Sequence, residues 1–149
     1  MHPYPHSYRA SAAGSAAGSV TVSSPQLQSF DTAPPPQFDG PGGAWSPETL
    51  LCAAIADCFI LTFRVISRAA RFEWLELECR VDGTLERIEG TARFTRYVTF
   101  ATLKVKQGTD AAKARSLLER AELSCLIANS LSGVRTLEVE VIEERDAGN

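Results

Sequence analysis

The spacing of apolar and polar residues changes character several times along the chain, and each change predicts an element. From Leu50 to Phe63 apolar side chains fill almost every position, broken by Asp57 and Thr62. A helix that is apolar all round is a buried one. Its start is well marked: Ser46 can cap, Pro47 suits the first helical position, Glu48 favours the positive end of the dipole, and Thr49 completes the first turn. The expectation is a central buried helix running to about Arg71, with Arg64, Arg68 and Arg71 reaching solvent at its negative end. The period then falls to two. In "FEWLELECRVDGTLERIEG", Leu75, Leu77, Cys79, Val81 and Leu85 alternate with Glu76, Glu78, Arg80 and Asp82, which predicts a strand with one buried face. "TARFTRYVTFATLKVK" (91–106) is rich in β-branched and aromatic residues and reads as a second long strand. A helical pattern returns at Thr109 or Asp110, runs through "AAKARSLLERAELSCLIANSL" and ends before Gly133. "VRTLEVEVIEE" closes the pattern as a third strand, with Leu137, Val139 and Val141 on one face.

Upstream of Ser46 the signal is weaker. Residues 1–7 read as a flexible tail, and Tyr8 to Phe30 as a hairpin turning within Gly14–Gly18. "TAPPPQFDGPGG" (32–43) reads as an irregular surface loop. Two weak strands, a buried helix, two strands, a helix and a last strand make an α+β protein with helices packed on an antiparallel sheet. A single domain over residues 8–145 is expected, and 149 residues can bury a core without metal or disulfide support.

Composition narrows the function classes. The net charge is −3 and no run of Lys or Arg occurs, so the chain has no electrostatic reason to bind nucleic acid or anionic lipid. The N-terminus lacks a secretory apolar core, and the run Leu50–Phe63 is short for a bilayer. A cytoplasmic protein is the expectation. In that compartment the four cysteines, at 52, 58, 79 and 125, are expected reduced. No CxxC pair exists and both histidines lie in the first six residues, so no metal site and no cofactor are expected.

Cys52 and Cys79 fit the core as small apolar side chains. Cys58 and Cys125 stand apart, because each sits beside polar groups inside an apolar helical segment. Cys58 follows Asp57, and Cys125 opens "CLIANSL", where Asn129 and Ser130 interrupt the apolar run.

Those two segments carry a resemblance. "SPETLLCAAIADCFILTFRVI", preceded by "GGAW" and followed on a second helix by "CLIANSL", resembles the OsmC/Ohr family of osmotically inducible and organic hydroperoxide resistance proteins, which are thiol peroxidases. The resemblance covers roughly Tyr8 to Ile142. It implies an intertwined homodimer with sheets wrapped around paired central helices and active sites at the subunit interface. By position, Cys58 matches the family's peroxidatic cysteine, Cys125 its resolving cysteine and Glu48 its active-site glutamate. The implied partners are a small-molecule hydroperoxide and a dithiol reductant of unknown identity.

Two features shape that expectation. Glu48 and Cys58 are separated by roughly 15 Å along one straight helix, so they do not touch within it. Either the first turn bends or a partner subunit supplies one of the two. The family's peroxidases also carry an arginine in the N-terminal hairpin, where this chain has "AAGSAAGS". Without a nearby cation, an ionised Asp57 close to Cys58 can only raise its thiol pKa. A non-catalytic dimer of the same fold, binding a small apolar ligand or sensing redox state through its thiols, is therefore the alternative reading.

Overall fold

The computed structural model describes residues 1–145, and the chain divides into two compact units, the first ending at Leu50 and the second beginning at Leu51.

The first unit carries three short antiparallel strands in the order β1 (Ser11–Gly14), β2 (Val20–Ser23), β3 (Phe30–Thr32). The expected hairpin is β1–β2, with Ala12 opposite Val22, and Gly18 supplies a positive φ of 92° in its turn. A third strand joins it. The proline-rich segment is less irregular than expected, because Pro36–Phe38 forms a single 3-10 turn. The chain is then tied back by a parallel bridge between Thr32 and Trp45. Helix entry follows the predicted chemistry and improves on it. Ser46 Oγ accepts from the Thr49 N–H at 3.2 Å, while Thr49 Oγ1 accepts from the Ser46 N–H at 2.9 Å. This reciprocal cap satisfies two backbone donors that a helix start leaves orphaned.

The second unit contains most of α1 (Pro47–Ala69), then β4 (Glu76–Ile88), β5 (Thr91–Lys106), α2 (Ala111–Ser124), α3 (Leu126–Asn129) and β6 (Val134–Glu144). β4 and β5 form a long antiparallel hairpin closed by Glu89 and Gly90, both at positive φ, as the twist of such ribbons favours. β6 lies on the other side of β5 and runs parallel to it. The sheet is thus mixed, where an antiparallel one was expected. The reason is topological: a helical crossover between β5 and β6 returns the chain to the end at which β5 began.

Alternation places one sheet face inward. Along β5, Tyr97, Thr99, Ala101, Leu103 and Val105 are buried, and Leu137, Val139 and Val141 of β6 pack beside them. Between the Thr84–Arg96 and Leu85–Phe94 pairs β5 carries one extra residue, Thr95, a bulge that shifts the register of the hairpin. Leu85, expected inward, is exposed. Onto this face pack Ala114, Leu117, Leu118 and Ala121 of α2 and one stripe of α1, formed by Ile55, Phe59, Phe63 and Ser67 at spacings of four. Ser67 accepts a hydrogen bond from Trp74 Nε1 at 3.0 Å, and the Trp74 ring meets Phe63 edge-on.

The expectation of a helix buried on every side is corrected. Leu61 and Val65, on the other side of α1, are 48% and 61% exposed within this chain. Its apolar circumference exceeds what one small sheet can cover. α1 also spans 23 residues, and its most apolar 18-residue stretch has a mean hydropathy of 2.0, long and apolar enough to cross a membrane by length and composition alone. The length argument made from Leu50–Phe63 does not hold for the whole helix. Its fully buried Phe59 and Phe63 nonetheless place it in the packed core.

Gly83 sets how closely α1 approaches the sheet. A methyl group there would lie 2.9 Å from Phe94 Cε1 and 3.0 Å from Cys52 Sγ. Gly83→Val is expected to cost about 1–3 kcal/mol through overpacking, read as a lower midpoint in urea unfolding followed by circular dichroism.

Candidate functional site

Three elements of the second unit bring Cys58 and Cys125 together. Cys58 lies on α1 one turn beyond Ile55, half-buried, with its Sγ 3.9 Å from Thr62 Oγ1. Asp57 points away into solvent, as neighbouring helix positions diverge by about 100°. The carboxylate beside the thiol in sequence is therefore not beside it on the helix surface.

Cys125 arrives by a different route. The expected long second helix is interrupted there. Cys125 adopts φ −65° and ψ 110°, ends α2, and starts the short α3. That extended residue turns its side chain into the interior, where it is 0% exposed and its thiol faces the Ile55 carbonyl at 3.9 Å. Ile55, Tyr97, Cys125 and Ala128 form one buried cluster, and Cys58 packs against it.

The break is braced by Asn129 together with Arg135 and Glu122, which residue patterns alone did not single out. Arg135, the second residue of β6, donates from Nε to Glu122 Oε1 at 2.9 Å and from Nη1 to Asn129 Oδ1 at 2.7 Å. Its Nη2 also donates to the Glu122 carbonyl. Asn129 in turn donates to the Leu123 carbonyl at 3.1 Å. The detectable signal was a charged residue two positions after Gly133 in an otherwise alternating strand, which by itself reads as an outward-facing side chain.

Burial dominates the thiol electrostatics. The Cys125 pKa is pushed up to about 11, first by burial, then by Cys58 and the Glu122 carboxylate, with the Ala128 backbone N–H pulling the other way. Cys79, on β4, is pushed up to about 12 by burial and by the charges of Glu122 and Cys125. Cys52, against Gly83, is raised chiefly by burial. Both of these fit the core role expected of them.

Glu48 belongs to the first unit. It lines an apolar cleft of about 360 Å³ with Val20, Pro34, Pro35, Phe38 and Pro47. Its Oε2 is buried and has no hydrogen-bond partner among the described residues. The hairpin turn Ser15–Ser19 carries no charged side chain. Phe59 and Phe63 are sealed in the sheet-facing core. Their spacing of four from Ile55 puts them on the stripe that faces β5.

Residues 40–140 match the sequence profile described as OsmC-like protein. The chain belongs to the OsmC-like family. The matched span includes α1 with Cys58 and the break at Cys125. An uncharacterised protein of Bacillus subtilis, YmaD, is 27% identical over 109 residues, covering 71% of this chain and 73% of that protein. An organic hydroperoxide resistance protein from Legionella pneumophila has a similar fold, with a TM-score of 0.74 at 23% identity over 93% of this chain and 98% of that one. An OsmC-like protein of unknown function from Vibrio cholerae reaches 0.80 at 16% identity over 91% and 99%. The OsmC/Ohr fold expected from the two cysteine segments is the fold of this chain.

The raised thiols have a consequence for stability. An unfolded chain releases its cysteine protons near pH 9, whereas the folded chain holds those of Cys79 and Cys125 to about 12 and about 11. Between these values the folded state binds more protons, so stability falls as pH rises through that window. The melting temperature is expected to drop between pH 8 and pH 10.5 under reducing conditions. The drop is smaller in a Cys79→Ala, Cys125→Ala double variant; an equal drop would show that other groups cause it.

Proposed function

We propose that this protein is a thiol-dependent hydroperoxide reductase in which Cys58 attacks and Cys125 resolves. The observation that carries the reading is the placement of a half-exposed thiol and a buried one in the same cluster, on elements far apart in sequence. Exposure supports these roles. A peroxide reaches Cys58 from solvent, while Cys125 is shielded until its partner is oxidised. The Cys58 thiolate attacks the O–O bond, taking one oxygen as sulfenic acid and releasing the alcohol once its oxygen gains a proton. The Cys125 thiol then attacks the sulfenic sulfur; the S–S bond forms, and the hydroxyl leaves as water with the thiol proton. An external dithiol reductant returns both thiols to their starting state by exchange. The apolar setting favours organic hydroperoxides.

Glu48 is read as the active-site carboxylate, its unpartnered Oε2 available to accept a hydrogen bond from the peroxide. The working form is read as a cytoplasmic homodimer; the side of α1 at Leu61 and Val65 is left exposed by the described residues, which supports a second subunit covering it. Sedimentation equilibrium is expected to give about twice the 16.1 kDa chain mass. The uncharged hairpin turn supports a second reading, a dimer of the same fold that binds a small apolar ligand or senses redox state without turnover.

Thiol counting separates the two. Reduced protein mixed with excess cumene hydroperoxide is expected to lose two thiols per chain and to yield a Cys58–Cys125 disulfide by peptide mapping. Cys58→Ser abolishes the reaction, and Cys125→Ser halts it at a sulfenic acid trapped by dimedone. Thiols that survive excess cumene hydroperoxide and hydrogen peroxide would sink the catalytic reading. Slow oxidation at Cys58 alone would favour the sensor.

A further inference from the structure

We infer that Arg135 is the positioning residue that holds Cys125 within reach of Cys58, by bracing both sides of the break at which Cys125 sits. The inference deepens the proposed reaction and rests on Cys125 being its resolving thiol.

The break is an unfavourable place for a chain to stand unsupported. At Cys125 the helical ladder stops and restarts within one residue, leaving the last carbonyls of α2 without helical partners. Arg135 occupies that gap. One guanidinium edge takes the Glu122 carboxylate and the Glu122 carbonyl, three residues before Cys125; the remaining nitrogen takes the Asn129 side chain, four residues after it. Three donors in a rigid plane therefore fix the two helical ends relative to each other, which a flexible ammonium cannot reproduce. The fixed point is the sheet. Arg135 stands opposite Tyr97 in the β5–β6 register, and Tyr97 belongs to the cluster that contains both thiols.

Arg135 has an electrostatic role in the same place. Glu122 and Arg135 are only 12% and 23% exposed at the side chain, and Glu122 Oε2 is buried with no hydrogen-bond partner among the described residues. Removing the guanidinium leaves that carboxylate charge uncompensated beside a thiol that must give up its proton during resolution. The groups facing Cys125 are Cys58 from α1, Cys79 from β4, Glu122 from α2 and the backbone N–H of Ala128 from α3. Arg135 is bonded directly to Glu122 of that set. Loss of Arg135 thus misplaces the resolving thiol and makes its deprotonation harder, while Cys58, held by α1, is left in place.

The two steps can be read separately. In single-turnover reactions with cumene hydroperoxide, Arg135→Met is expected to form dimedone-reactive Cys58 sulfenic acid at the wild-type rate. Disulfide closure is expected to slow by about ten- to a hundredfold, the scale of a misplacement near 1 Å, so sulfenic acid accumulates. Arg135→Lys, which keeps the charge but not the fork, gives an intermediate rate. Asn129→Ala removes one arm and leaves the Glu122 ion pair; it also slows closure, and it carries the test if Arg135→Met does not fold. In parallel, diamide drives the Cys58–Cys125 link without any peroxide. If wild-type protein ignores peroxide, the catalytic reading fails, and the diamide comparison still decides the role of Arg135. Wild-type closure rates with diamide in folded Arg135→Met, or in Asn129→Ala where Arg135→Met is unfolded, would overturn it.

Discussion

One stripe of α1 against one face of a three-stranded sheet is the contact on which the second unit depends. Ile55, Phe59 and Phe63 occur at spacings of four, so they fall on one line along the helix, and that line fits the buried alternation of β5. Once this line is seated, the rotation of α1 is fixed, and with it the position of Cys58, one residue before Phe59 and a quarter turn from the core. Glycine at 83 permits the approach by offering no side chain where Phe94 and Cys52 already meet. The thiol is neither sealed in the core nor free on the surface, because its place is set by neighbours that are.

A second constraint fixes the other thiol. The crossover between β5 and β6 is helical, as connections between parallel strands usually are, yet this helix does not run through unbroken. A continuous helix would place Cys125 by its position in the turn alone. The extended backbone at Cys125 frees it from that geometry and aims it at the Ile55 carbonyl. Such a departure needs backbone groups to be satisfied elsewhere. Arg135 and Asn129 do so at the Glu122 and Leu123 carbonyls, and the Glu122 carboxylate holds Arg135, which is why three polar residues converge around an otherwise apolar cluster.

Much of this was legible in the residues, and the parts that were not share a cause. Periodicity located α1, β4, β5, α2 and β6, and the Ser46–Thr49 start could be read from local chemistry. The polar interruptions around Cys58 and Cys125 set them apart from Cys52 and Cys79. What escaped was set by tertiary partners. The bulge in β5, the parallel direction of β6 and the break at Cys125 each leave local propensity almost unchanged. The apolar circumference of α1 reported how much of it seeks cover, not how much this chain covers. Arg135 illustrates the limit best: its role comes from residues in two other elements, and nothing in "GVRTL" announces them.

The contact between Cys125 and Ile55 joins residues 70 positions apart. Nothing local holds the two thiols near each other before the sheet and the crossover have formed, and closing so long a loop is entropically unfavourable until native contacts reward it. A newly made or partly unfolded chain thus carries four independent, ordinary cysteines. The paired thiols come into being only with the completed fold, which makes this chemistry a property of the native architecture rather than of the residues that perform it.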